Sequence, residues 1–169
     1  RRSRQVRAPQ PWLCANATVD GVPFAADATE AARVVAVDGT TVGIIGVSHP
    51  QTGEINPKAS AIDFADPVPV IREWTDRLQE EGAEFVVVTS HCGRTDERIA
   101  RETSVDAVLG GHVHDVHAEV IEDTAVVRPG RAGLRFSEVL LGSRPEIEIH
   151  DVDNGSVDHH LRERLQALL

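Results

Sequence analysis

The chain has 169 residues, which is enough to bury the core of one domain. Its 27 acidic and 17 basic residues give a formal charge of −10, and this balance argues against a general affinity for nucleic-acid polymers. The sequence contains neither an apolar run of membrane-spanning length nor a signal-peptide pattern, so we expect no membrane partner either.

The composition favours a piece of a longer protein. The chain has no methionine and begins with Arg1-Arg2, and Lys58 is its only lysine. An acidic surface dominated by arginine suggests a high-salt cytosol or a GC-rich genome. Because the natural start is not seen, the compartment stays open apart from a preference for the cytoplasm. Cys14 and Cys92 lack metal-ligand spacing, and burial as small apolar residues is favoured over a disulfide.

The first third of the chain predicts strands and a hairpin. Residues 1–12 are interpreted as the end of a truncated helix and a linker, because two prolines close any helix there. The stretch from Trp12 to Asn16 predicts a short buried strand. Asp38-Gly39 separates the β-branched runs 33–37 and 41–47, which is a strong hairpin signal.

Helices alternate with strands in the middle of the chain. Residues 48–65 are predicted to form a loop, and residues 67–82 an amphipathic helix. The apolar stripe of that helix is predicted to contain Val70, Ile71, Trp74 and Leu78. A short helix over residues 94–102 separates two apolar strands, 85–89 and 105–109. This order implies right-handed parallel crossovers.

Short strands and a terminal helix complete the predicted fold. The strands are expected at residues 117–121, 125–128, 136–141 and 146–150, as an antiparallel part of a mixed or second sheet. Residues 151–169 predict an amphipathic helix, and docking on the body or continuation into another domain is favoured over partner binding. Residues 13–150 are therefore expected to form one mixed α/β domain.

Histidines follow two of the buried strands at the points where these strands end. His91 follows the strand 85–89, and Gly110-Gly111 leads from the next strand into His112 and His114. Residues i and i+2 of an extended segment share one side, and parallel strands bring their carboxyl ends to one sheet edge. Three imidazoles in one small volume suit zinc, manganese, iron or cobalt. We therefore predict metal binding by His91, His112 and His114.

Neighbouring polar residues have weaker assignments. Asp115 is a candidate for orienting an imidazole, and capping of the following turn is equally consistent with its position. His49 follows an earlier strand and is a weak candidate for lining the site, a loop role being favoured. His117 is interpreted as structural. Cys92 adjoins His91, but neighbours along a strand point to opposite sides, so a Cys/His nucleophile is disfavoured.

Two motifs carry a resemblance to a known family. Ser90-His91-Cys92-Gly93 followed by Gly110-Gly111-His112-Val113-His114 resembles the calcineurin-like metallophosphoesterases. Within them it is similar to the 5′-nucleotidase and 2′,3′-cyclic phosphodiesterase branch. Segments 13–16, 42–47 and 127–133 are similar to further parts of that family, so the resemblance extends from Trp12 to Leu141.

The resemblance implies a fold and a chemistry. The fold would be a four-layer αββα sandwich with a two-metal site at its sheet edges. His91 and His112 match ligands of one divalent metal, and His114 matches a ligand of the other. The implied reaction is hydrolysis of a small phosphorylated substrate, most like a nucleotide, by two ions of the Zn, Mn, Fe or Co class.

The departures from the family pattern concern the start of the domain. The family's Asp-x-His, Gly-Asp and Gly-Asn-His-Glu/Asp motifs are absent from their expected places ahead of His91. By the resemblance they would precede Arg1. We then expect a partial sandwich without its first strands, about half of the metal ligands, no catalytic residue in this chain and no activity from it alone. A preceding segment of the same domain is the expected partner. The alternatives are a non-catalytic metal-binding remnant and an interaction module.

Overall fold

The computed structural model describes residues 11–24 and 29–152. The truncated helix predicted before the first proline lies outside the described residues. So does the amphipathic helix predicted over residues 151–169, apart from its first two positions, of which Asp151 ends a strand instead. In the part that is described, no helix is both long and apolar enough to cross a membrane.

The described elements are mostly short strands. The strands are β1 (Trp12–Leu13), β2 (Ala17–Val19), β3 (Val22–Pro23), β4 (Thr29–Glu30), β5 (Ala32–Val37), β6 (Thr40–Ser48), β7 (Asp63–Phe64), β8 (Phe85–His91), β9 (Ala107–Gly110), β10 (Val116–Ile121), β11 (Thr124–Pro129), β12 (Arg135–Leu140) and β13 (Glu146–Asp151). The helices are α1 (Thr52–Ile55), α2 (Pro67–Glu80) and α3 (Asp96–Glu102), with 3₁₀ turns at Pro57–Ala59 and Gly93–Thr95.

A six-stranded mixed sheet forms the centre of the fold, in the order β10-β11-β9-β8-β6-β5. The four inner strands run parallel, while β5 and β10 pair antiparallel at the two edges. α2 connects β6 to β8, and α3 connects β8 to β9. The predicted parallel crossovers are confirmed, and their consequence is that the carboxyl ends of the inner strands meet at one edge.

The hairpin between β5 and β6 follows its predicted turn. Val37 pairs with Thr40, and the two residues between them, Asp38 and Gly39, have φ values of 50° and 87°. Positive φ at both central residues is what the tight turn between right-twisted strands requires, and Asp-Gly tolerates it. The hairpin prediction is confirmed.

Helices α2 and α3 cover one face of the central sheet. Ile71 and Leu78 of α2 are buried as predicted, at 0% and 2% exposure. The stripe also contains Val68, which is 1% exposed, whereas the predicted Val70 is only half-buried. Val68 lies three residues before Ile71 and therefore on the same helix face. Ile99 of α3 completes this core.

A second sheet packs on the opposite face. The antiparallel pair β12–β13 places Val139, Leu141 and Ile147 against Val87, Ala107 and Ala125 of the central sheet. The described residues thus form a helical layer and two sheet layers of mixed α/β class, as predicted. The four strands predicted after the histidine loop are found, β10 and β11 in the central sheet and β12 and β13 in the second sheet. The predicted antiparallel pairing holds within each pair, but β11 also pairs parallel with β9.

Two local predictions were wrong. Residues 48–65 hold α1, a 3₁₀ turn and β7 rather than a featureless loop. The side chain of Asn56 caps the turn by accepting from the Lys58 amide, and Ala59 is buried beneath it. Trp12 is 67% exposed instead of buried, because β1 is a two-residue strand paired only with β4 among the described strands.

Candidate metal centre

The register of the parallel strands brings the predicted histidines to one edge of the central sheet. Ser48 of β6 pairs with His91 of β8, and Ser90 of β8 pairs with Gly110 of β9. The residues that leave these strands next are His49, Cys92 and Gly111. Strand pairing alone therefore places His49, His91 and the loop that carries His112 side by side.

The His112 ring contacts two other imidazoles at this edge. The rings of His91 and His112 have centroids 5.0 Å apart and meet edge to face at 80°. His49 also stacks on His112, with ring centroids 5.1 Å apart and planes at 23°. His49, predicted only as a weak candidate for lining the site, is thus in direct ring contact with His112. His114 and His112 are both exposed to solvent.

The local environment favours neutral imidazoles. Burial and the neighbouring His112, His49 and His114 lower the pKa of His91. Burial and His112 likewise lower the pKa of His49. A pKa below that of free imidazole leaves both rings uncharged at neutral pH, which is the form that binds a metal ion.

Two glycines allow the close approach of these rings. A Cβ on Gly111 would lie 3.2 Å from Nδ1 of His91, and a Cβ on Gly93 would lie 3.2 Å from Cδ2 of His112. Gly93 also has a φ of 63°, which favours glycine. The glycines of the two motifs therefore serve the packing of the imidazoles themselves.

The donor set fits a borderline divalent metal, since imidazole nitrogens suit zinc, manganese, iron and cobalt. The nitrogens of His91, His112 and His114 do not form a set of three within 4.8 Å, whereas among the described residues Glu138, Glu148 and His150 do. The latter cluster lies on the solvent face of β12–β13, with both glutamates exposed. Metal binding at the sheet edge therefore stays a prediction that depends on the donor chemistry of its imidazoles.

A buried ion network lies directly beneath the histidine loop. Arg128 on β11 is 1% exposed, and its Nε donates to Oδ1 of Asp115 over 2.9 Å. Its Nη2 donates to Glu97 over 2.8 Å, and its Nη1 to Asp96 over 3.3 Å. Asp96 is fully buried and accepts from Oγ of Ser90 over 2.6 Å. Burial lowers the pKa of Arg128, but Glu97 and Asp115 outweigh that effect and raise it, so the guanidinium stays charged.

The network changes the interpretation of Asp115. Its carboxylate accepts from Arg128, with Arg94 3.9 Å away, rather than orienting an imidazole directly. His117 lies on β10 at 3.9 Å from Glu97 and 3.6 Å from Glu119, outside the group of contacting imidazoles. The sequence does not single out Asp96 and Arg128, because charged residues in a helix and at a strand end are usually solvated. The one signal was an arginine directly after the apolar run Ala125-Val126-Val127.

Two further buried groups behave as structural residues. Asn16, 2% exposed, donates to the carbonyls of Ser48 and Ala65 and accepts from the Ser48 amide, which fixes the backbone just before His49. Cys92 is 1% exposed, and burial raises the pKa of its thiol to about 11. A thiol that stays protonated is a poor nucleophile, which agrees with the expectation against a Cys/His mechanism.

The buried carboxyl of Asp96 predicts a pH-dependent stability. Burial raises its pKa to about 6, against an ordinary value of 3.8, although Ser90 and Arg128 act in the opposite direction. Because the pKa of Asp96 is higher in the folded chain than in the unfolded chain, its carboxyl group stabilises the fold fully when the pH is below 3.8. This contribution is lost as the pH rises through about 6. A gap of that size corresponds to about 3 kcal/mol.

Urea unfolding of the wild type and of Asp96→Asn between pH 4 and 7 checks this prediction. The difference in unfolding free energy, wild type minus variant, should fall by up to about 3 kcal/mol as the pH rises. Asp76→Asn, at an exposed position of α2, is the matched control and should give a constant difference. A constant difference for Asp96→Asn as well would contradict the assignment.

Comparison with known proteins agrees with the fold. No family model matches the chain. Over 108 residues, or 62% of its length, it is 30% identical to an apyrase of Aedes albopictus, of which it covers 19%. A 5′-nucleotidase precursor from Thermus thermophilus matches 93% of the chain with a TM-score of 0.79 at 23% identity, over 37% of that protein. A calcineurin-like phosphoesterase of Bacillus subtilis matches 95% of the chain with a TM-score of 0.77 at 17% identity, over 62% of that protein.

The described residues therefore have the metallophosphoesterase fold, as both their layers and the structural matches indicate. Within that class, the predicted resemblance to the 5′-nucleotidase branch is confirmed, since the curated relatives are apyrases and 5′-nucleotidases. The chain spans less than a fifth of the length of these relatives, 19% and 16% for two of them.

Proposed function

We propose that this chain is part of a metal-dependent phosphoester hydrolase, most like a 5′-nucleotidase acting on nucleotides. One observation carries the proposal: the ends of three neighbouring strands gather His49, His91 and His112 into contact at the sheet edge where such folds bind ligands. The sequence similarity to apyrases and 5′-nucleotidases supports the same substrate class.

The edge histidines are the proposed metal ligands of this chain. His91 and His112 would hold one divalent ion, and His114 would contribute to a second, of the Zn, Mn, Fe or Co class. Such ions, when bound, act as Lewis acids on a phosphate ester and lower the pKa of water. Neutral imidazoles suit this role because they bind without cancelling the positive charge that attracts the substrate.

The surroundings of the histidines suit an anionic substrate. His112 and His114 are exposed, so the edge is open to solvent. Arg94 follows His91 by three residues, and its side chain is 77% exposed and 3.9 Å from Asp115. Its guanidinium adds a positive charge at the rim of the site, and a guanidinium pairs well with phosphate oxygens.

We further propose that catalysis requires a segment that precedes these residues in the parent protein. The histidines at this edge supply neutral nitrogen ligands, whereas a carboxylate bridge and a proton donor for the leaving group are assigned to the motifs that the family places earlier. The 169-residue chain alone is then expected to bind metal without hydrolysing phosphate esters.

Hydrolysis of AMP and of p-nitrophenyl phosphate with Mn²⁺, Co²⁺ or Zn²⁺ tests the proposal. The comparison is between the 169-residue chain and the chain extended by the sequence that lies upstream in its gene. We expect metal-dependent activity from the extended chain only, and loss of it in His91→Ala. An extended chain that carries both upstream motifs, folds and binds metal but hydrolyses neither ester would favour the non-catalytic alternative.

A further inference from the structure

The backbone at His112 is in a strained conformation. Its φ is +75°, and the amide of Val113 donates to the carbonyl of Gly111 over 3.0 Å. Together these features form a γ-turn with positive φ at its central residue, a rare conformation for a residue that has a Cβ. Such a turn persists only where the surroundings hold it, so the contacts around it bear on the direction of the His112 ring.

The side chain of Arg128 reaches three segments around this turn. Nε donates to Asp115, which follows His114, while Nη1 donates to the carbonyl of Gly93 over 3.3 Å and to Asp96. Gly93 packs against the His112 ring. Asp96 packs beneath Gly110 so closely that a Cβ there would lie 2.1 Å from its Oδ2. One buried guanidinium thus contacts the segments before, beside and after the turn.

Asp115 links the histidine loop to β11 through its ion pair with Arg128. The loop runs from Gly111 to Asp115, between the end of β9 at Gly110 and the start of β10 at Val116. At the C-terminal end of the loop, the pairing of β10 with β11 begins with Val116 opposite Pro129, the residue after Arg128. The Asp115–Arg128 pair therefore joins the loop to β11 beside the position where the sheet resumes.

We propose that Asp115 and Arg128 are positioning residues of the candidate metal centre. Their ion pair holds the turn at His112, so that His112 and His114 are fixed in direction before a metal ion arrives. Ligands that are fixed beforehand bind a metal more tightly, because no ordering of the loop opposes binding. This inference rests on the proposed function, since it assigns the histidines as metal ligands.

Glu97 provides a matched control for this role. It accepts from Nη2 of the same guanidinium over 2.8 Å, but it lies on α3 and not on the histidine loop. Truncation of Glu97 or of Asp115 removes one carboxylate from Arg128 in each case. Only the loss of Asp115 releases the loop. If the network has a purely structural role, the two truncations should change zinc binding to a similar extent. If Asp115 positions the histidines, its truncation should weaken zinc binding more than that of Glu97.

The experiment measures two properties of the 169-residue chain in the wild type, Asp115→Ala and Glu97→Ala. Calorimetric titration with Zn²⁺ should show the dissociation constant of Asp115→Ala raised by about 10- to 100-fold and that of Glu97→Ala by less than about 3-fold. Hydrogen exchange of the Val113 amide, measured without metal, should be faster in Asp115→Ala only. Asp115→Asn, which keeps an acceptor for Nε, should recover most of the wild-type values and serves if the alanine variant fails to fold.

The outcomes separate this inference from the proposed function. If the wild type binds Zn²⁺ and both alanine variants bind it equally well, the positioning role is overturned while the metal centre stands. If the wild type binds no Zn²⁺, the proposed function fails and the positioning role fails with it. Unchanged exchange at Val113 in Asp115→Ala would overturn the claim that the ion pair holds the turn.

Discussion

Replacement of His112 by alanine is expected to weaken Zn²⁺ binding by about a hundredfold or more. Loss of a residue that only hydrogen-bonds to a metal ligand weakens binding by up to about a hundredfold, and loss of a ligand itself should cost at least as much. His112 contacts both His91 and His49, with ring centroids 5.0 and 5.1 Å away, so its loss removes the imidazole that the other two share as a neighbour. Calorimetric titration of the purified chain at pH 7.5 gives the dissociation constants directly.

His150→Ala is the control for this prediction. His150 is close to Glu138 and Glu148 on the second sheet and is stacked on Phe136, so this cluster is the alternative place for a zinc ion among the described residues. We expect its removal to leave the tighter binding step unchanged. Equal affinities for His112→Ala and the wild type, with loss of binding in His150→Ala, would move the metal site from the edge of the central sheet to the second sheet.

Arg128→Met is expected to destabilise the fold by about 3–5 kcal/mol. The arginine is 1% exposed and compensates the carboxylates of Asp96, Glu97 and Asp115, so its removal leaves buried negative charge without a partner. Methionine keeps much of the aliphatic volume, which confines the effect to the lost charge and hydrogen bonds. Urea unfolding at pH 7, together with the melting temperature, measures the loss.

Arg98→Met provides the matched comparison for the same change of side chain. Arg98 pairs with Asp66 and Glu102, each over 2.9 Å, but its side chain is 46% exposed. Exposed pairs contribute little, so the loss is expected to be much smaller than that of Arg128→Met. Similar losses for the two variants would show that burial does not decide the energetics of the Arg128 network.

Local signals in the sequence were sufficient for the elements that position the site. Asp38-Gly39 between β-branched runs predicted the hairpin, and the apolar runs that end in His91 and Gly110 predicted parallel strands meeting at one edge. These features depend on short-range chemistry: a turn that tolerates positive φ, and an alternation of helices with apolar strands. Neither depends on which distant residues contact one another.

Features that depend on distant contacts escaped prediction. Arg128 and Asp96 are 32 positions apart in sequence, and only the parallel packing of β11, β9 and β8 with α3 brings them together. His49 was ranked low because a single histidine after a strand is usually a loop residue, yet the register of β6 with β8 places it against His112. The exposure of Trp12 likewise follows from the pairing of β1, which no local pattern encodes.

The proposed function depends on a divalent metal bound at the sheet edge that His91 and His112 form. Anomalous diffraction at the zinc edge, from crystals of the chain grown with Zn²⁺, tests it most directly. We expect a peak within bonding distance of the His91 and His112 nitrogens, about 2.0–2.1 Å. A well-ordered edge with no anomalous density, or zinc bound only by Glu138, Glu148 and His150, would contradict it.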